Sequence, residues 1–137
     1  MSLPFPSFTP DHLHPMLVNF TSALIPASIA SDAGGRIFRK PSLHSAGWWM
    51  LVYATALTPL TSLAGLWWKQ KLGATLPPDQ IAEHMWLGIG LTVSFVVLLI
   101  WRRKSDPPSI PYFVFAVIVI AALLVQGALG GQMVFGG

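Results

Sequence analysis

Residues 112–135 read YFVFAVIVIAALLVQGALGGQMVF, with no charged side chain anywhere in the stretch. About 20 consecutive apolar residues are enough to cross the hydrocarbon core of a bilayer as a helix. A strand of a membrane barrel would alternate apolar with polar at every second position. This stretch does not alternate, so it reads as a spanning helix that closes its own backbone hydrogen bonds.

Three further windows follow the same rule, running from about 14 to 33, 46 to 68 and 81 to 101. The second is free of charge, and the third carries Glu83 and His84 only in its first turn. The first is the most polar, broken by Asn19, Thr21, Ser22, Ser28 and Ser31, and is expected to lean on its neighbours. Pro26 and Pro59 fall inside spans and are expected to kink them, with the Thr55 hydroxyl meeting part of the freed backbone. Pro15 suits a first helical turn, and Asp79 is expected to cap the third span. The run Ser105-Asp106-Pro107-Pro108 forces a break before the fourth.

The composition agrees. Of 137 residues, 53% are hydrophobic and 9% charged, and the mean hydropathy is +0.62. A soluble domain carries about a quarter charged residues, so a water-soluble globule and a disordered chain are both excluded. The net charge of +3 is too small and too scattered for a nucleic-acid footprint. With no cysteine there is no disulfide, thiolate nucleophile or covalent haem attachment. The class is an all-α integral membrane four-helix bundle in a single domain.

Arg36, Arg39 and Lys40 precede the second span, and Arg102, Arg103 and Lys104 follow the third. Four crossings place these two groups on one side, and the positive-inside rule makes that side cytoplasmic. Both termini are then outside, in what reads as a bacterial inner membrane. Trp48, Trp49, Trp101 and Tyr112 are expected at the inner interface, and Trp67, Trp68, Trp86 and Phe135 at the outer one. The N-terminus lacks the basic region of a secretory signal, and Leu3–Pro10 reads as an extended or interfacial arm.

Histidine is the only plausible metal ligand. His12, His14 and His84 fall at the outer ends of spans one and three, and His44 lies alone near the inner end of span two. Imidazoles on two helices can hold a haem iron axially, which points to one b-type haem or other tetrapyrrole near the outer face. His84 is the first ligand and His14 the second, with His12 as the alternative. Gly88, one turn below His84, and the Gly127/Gly131 pair leave room for a flat partner, although close helix packing explains a GxxxG equally well. Gln126 and Asn19 need hydrogen-bond partners, and Asn19 is expected to meet His14, a ligand or a water. The sequence contains no GxSxG elbow, P-loop or HExxH. Paired broken helices of the transporter kind are hinted at only by the two prolines.

Four motifs carry a resemblance. His14-Pro15-Met16-Leu17-Val18-Asn19-Phe20 resembles an HPxxVHFP opening, and Leu57–Gly65 an LTPLTxxxG end to the second span. His84–Gly88 resembles an HAxLG start, and Leu129–Gly137 a GGxLVYxxG close. In this order they resemble the membrane protein family called domain of unknown function 2231, from about residue 12 to the end. The resemblance implies a four-span bundle found beside or fused to Rieske-type and cytochrome c domains, hence a redox membrane. Asn19 stands where the family commonly has a second histidine, and Phe135 replaces a tyrosine.

The functional expectation is a membrane subunit of, or beside, a redox complex that carries electrons rather than catalyses. The rival is a cofactor-free assembly subunit packing against larger membrane partners, and a small transporter is the weakest of the three.

Overall fold

The computed structural model describes residues 12–72 and 75–136. The arm Leu3–Pro10 lies outside the described residues. Four helices make up the fold: α1 (Leu13–Phe38), α2 (Pro41–Leu72), α3 (Pro78–Lys104) and α4 (Ile110–Phe135). All four are long and apolar enough to cross a membrane; α1, α2 and α3 outrun their sequence windows by several residues, and α4 by two. The extra turns lie outside the apolar windows, where amphipathic side chains line the membrane boundary.

The helix ends show how the chain punctuates itself. α1 stops at Arg39, which takes the left-handed conformation (φ 53, ψ 43), and the Lys40 N–H closes back on the Gly35 carbonyl at 3.0 Å. α2 restarts at Pro41, which fits a first turn because that position has no intrahelical N–H bond to lose. α3 begins at Pro78 after the cap residue Pro77. The expected Asp79 cap is therefore corrected: Asp79 lies inside the first turn and makes no capping bond. Ser105–Pro108 separates α3 from α4 as read from the sequence.

α1 and α2 form one tight hairpin, and α3 and α4 form a second. The hairpins meet along α2 against α3 and α1 against α4, which leaves α1 and α3 on a diagonal. Buried residues recur at spacings of three and four, as in Leu91, Phe95, Leu98 on α3 and Tyr112, Ala116, Val119, Leu123 on α4. That is the seam of a bundle with coiled-coil-like packing. In spans that are apolar on every side, hydrophobicity alone does not reveal this seam.

The polar character of α1 resolves in two ways. Thr21 returns its hydroxyl to the Val18 carbonyl at 3.0 Å on its own helix. Ser28 and Ser31 reach across to the Gly47 and Leu43 carbonyls of α2 at 2.6 and 2.7 Å. So α1 does lean on its neighbour, through two short bonds. Both α1 and α2 continue through Pro26 and Pro59. Thr55 donates to the Leu51 carbonyl at 2.8 Å, one turn before the carbonyl that Pro59 frees, so it does not make the repair expected of it.

Two aromatic residues depart from the interfacial belt. Tyr112 is fully buried in the core, edge-on to Trp101 at 6.1 Å. Trp68 packs inward against the His14 ring at 5.7 Å. Trp49 and Trp86 are exposed, as belt residues are.

Candidate functional site

Each end of the bundle holds a polar cluster. At the end where α1 and α3 begin, the rings of His14 and His84 lie 6.5 Å apart between centroids and nearly perpendicular, at 78°. His14 belongs to the first hairpin and is held by it. Its Nδ1 donates to the Thr61 carbonyl of α2 at 3.0 Å, which leaves Nε2 as the ring's lone-pair nitrogen. His84 belongs to the second hairpin. Gln126 of α4 donates through Nε2 to the His84 carbonyl at 3.0 Å and to the His84 ring at 3.3 Å. The two imidazoles therefore meet across the seam between hairpins, each oriented from its own side.

Glycines make this fit possible. A Cβ at position 65 would stand 2.9 Å from the His14 ring, and one at position 130 would stand 3.2 Å from the His84 ring. At Gly88 the space is taken by Gln126, 3.1 Å from where a Cβ would be. Gly127 and Gly131 have nothing within 4 Å of that point, so they do not flank the pair; Gly130, between them, does. Asn19 is exposed on α1. Five residues turn about 140° around a helix, which carries Asn19 off the face of His14. His12 is an exposed helix-cap residue, so the inward ring of α1 is His14. Two buried polar atoms here have no hydrogen-bond partner among the described residues, His84 Nδ1 and Gln126 Oε1. Orphans of this kind mark strain, or a ligand or water in their reach.

The opposite, basic end holds a cluster that the sequence reading missed. Asp32 of α1 is fully buried, and Arg102 of α3 nearly so. Arg102 grips Asp32 with two bonds, Nε to Oδ2 at 2.9 Å and Nη2 to Oδ1 at 3.1 Å. It also donates to the His44 carbonyl at 3.2 Å and to Asp106 at 3.1 Å. His44 of α2 adds its Nδ1 to Asp32 at 3.1 Å. His44 was expected to stand alone, and is instead the third member of this network. Gly35 and Gly47 clear the space: a Cβ at position 35 would meet the His44 ring, and one at position 47 the Asp32 carboxylate, both at 2.9 Å. The available signal was Asp32 itself, an ionisable residue inside a span, which is expensive and needs a partner. Arg102 was hidden by being counted with the loop cations.

Both clusters share one register. Asp32 follows His14 by 18 positions, and Arg102 follows His84 by 18. That is about five full turns, roughly 27 Å along each helix. One face of α1 therefore meets one face of α3 twice, imidazole to imidazole at one end and carboxylate to guanidinium at the other. Among the described residues, no group of three or more His, Cys, Asp or Glu side chains converges to hold a metal ion.

The fold defines a multi-pass integral membrane protein with a polar pair at each end of a four-helix bundle. Its family model, described as "Predicted membrane protein (DUF2231)", matches residues 10–137, and the chain belongs to that family. No match is found among curated proteins or solved structures.

Proposed function

We propose that the chain is a membrane-embedded subunit serving a redox assembly, in which His14 and His84 would hold one non-covalently bound b-type haem that would supply electron transfer. The supporting observation is the meeting of two separately oriented imidazoles across the hairpin seam, 6.5 Å between centroids. Two imidazoles that each set a nitrogen about 2 Å from one metal ion bring their ring centres to roughly 6 Å. The Thr61 carbonyl on His14 Nδ1 is the outer-shell contact typical of a metal-ligating histidine. A pair of side-chain ligands is enough for haem iron and too few for a closed structural zinc site.

His14 offers a free Nε2, whereas the His84 Nε2 lone pair accepts from Gln126, so His84 binds a metal only once that contact is given up; the surrounding space is filled as well. Side chains already fill the openings beside Gly65, Gly88 and Gly130. A macrocycle enters only if the hairpins part at the histidine end, and the Asp32–Arg102 clamp is at the other end. The positive-inside rule supports a cytoplasmic basic end and puts the histidine pair near the outer face.

The same filled glycines favour a second reading, a cofactor-free assembly subunit. The open Gly127/Gly131 face would then pack against another membrane protein, as small residues do.

Absorbance spectra separate the two. Protein is purified from cells supplied with haem, and spectra are taken oxidised and dithionite-reduced, with metal analysis alongside. Reduced α and Soret bands, lost in His14→Ala and in His84→Ala, are the expected result. A featureless, iron-free preparation of folded protein would leave the assembly reading.

A further inference from the structure

At the basic end an open cleft of about 660 Å³ lies between the ends of α1, α2 and α3. Arg36, Arg39, His44, Trp48, Arg102 and Arg103 line it together with Asp106, whose carboxylate is engaged by Arg102 at 3.1 Å. The Arg102 charge is spent on Asp32 and Asp106. Arg36 donates to the Pro108 carbonyl at 3.3 Å, which leaves its charge uncompensated. Among the described residues, no carboxylate pairs with Arg36, Arg39 or Arg103. Three guanidiniums facing one recess repel one another unless an anion joins them, and guanidinium forks suit phosphate oxygens.

We propose that this cleft binds the phosphate of an anionic phospholipid headgroup. The lipid source is favoured by what surrounds the charges. Ile37 and Phe38, flanked by Arg36 and Arg39 in sequence, are 73% and 68% exposed, an apolar surface for acyl chains beside the recess. Trp48 on the wall has the amphipathic ring found at headgroup depth. Basic recesses between membrane helices hold lipid headgroups by this combination of charge and depth. His44 donates its Nδ1–H to Asp32, so Nε2 remains as an acceptor for a headgroup hydroxyl, and the phosphate oxygens are left to the arginines. The inference does not depend on what the histidine end holds.

Native mass spectrometry of the detergent-solubilised chain tests it, using dioleoyl phosphatidylglycerol, dioleoyl phosphatidylcholine and inorganic phosphate as probes. Phosphatidylglycerol adducts are expected to outlast phosphatidylcholine adducts. Arg39→Gln and Arg103→Gln remove charges without breaking any bond between helices. Each is expected to weaken phosphatidylglycerol retention about fivefold, and the double variant roughly 25-fold. Lys69→Gln, at the other end, should leave retention unchanged. Equal retention of the two lipids, or an unaffected double variant that keeps its melting temperature, overturns the proposal. Inorganic phosphate displacing the lipid at millimolar concentration overturns the lipid assignment in favour of a soluble anion.

Discussion

Asp32 and Arg102 illustrate how a buried ion pair weighs on stability. Removing both charges from water costs several kcal/mol per ion, and only good geometry repays it. Here the geometry is bidentate, and His44 and Asp106 satisfy the remaining positions. Losing one partner strands the other. Asp32→Ala is expected to destabilise the protein by about 3–5 kcal/mol, read as a fall in melting temperature in detergent. The double variant Asp32→Leu/Arg102→Met should recover most of that loss; a double as unstable as the single would show that the pair is not the unit. Tyr112 gives the opposite case. Its hydroxyl is buried with no partner among the described residues, and an unmet buried hydroxyl costs about 1–3 kcal/mol. Tyr112→Phe should therefore melt no lower than the parent, and up to about 1 kcal/mol higher in stability; a clear loss would reveal a hidden partner for the hydroxyl. Neither residue was legible in this role. Asp32 falls inside a window judged by its average, and Tyr112 reads as an interfacial aromatic because composition does not say which side of a helix faces inward.

At the scale of elements, the α1–α2 hairpin turns on Arg39. A left-handed backbone costs an L-residue roughly 1–2 kcal/mol, and helices usually place glycine there. Arg39→Gly is expected to raise hairpin stability by about 1 kcal/mol, the gain being partly offset by glycine's freer unfolded chain. Thermal unfolding measures it, and no change would mean that the arginine side chain returns what its backbone loses. The elements themselves were plain in the sequence, because charge-free runs of this length admit one reading. Their ends were less so: Asp79 looked like a cap, but Pro77-Pro78 starts the helix earlier. Of the site, the His14 and His84 positions were legible from topology alone. Their glycine partners were not: Gly65 and Gly130 lie near them only after α2 and α4 fold back. The Gly127/Gly131 motif drew notice by its spacing and turned out to face away.

For the whole molecule, two hairpins are joined by an ion pair at one end and by ring contact at the other. The unclamped end is expected to move more. The chain has no native cysteine, so spin labels can be placed freely on exposed sites. Labels at positions 16 and 89, near the histidines, should show a broader distance distribution than labels at 37 and 100. Supplying haem should narrow the first distribution and leave the second unchanged; equally narrow distributions from the outset would argue against a seam that opens.

The matched 18-residue intervals have a consequence for how such a chain can vary. A single deletion between His14 and Asp32 would swing one terminus of α1 by about 100° relative to the other. Either the ring or the carboxylate would then lose its counterpart. The middle of α1 and α3 is thus held to a fixed ruler, tolerant of changed side chains and intolerant of changed length. Insertions belong instead in the connection between α2 and α3, since the one between α3 and α4 supplies Asp106 to Arg102.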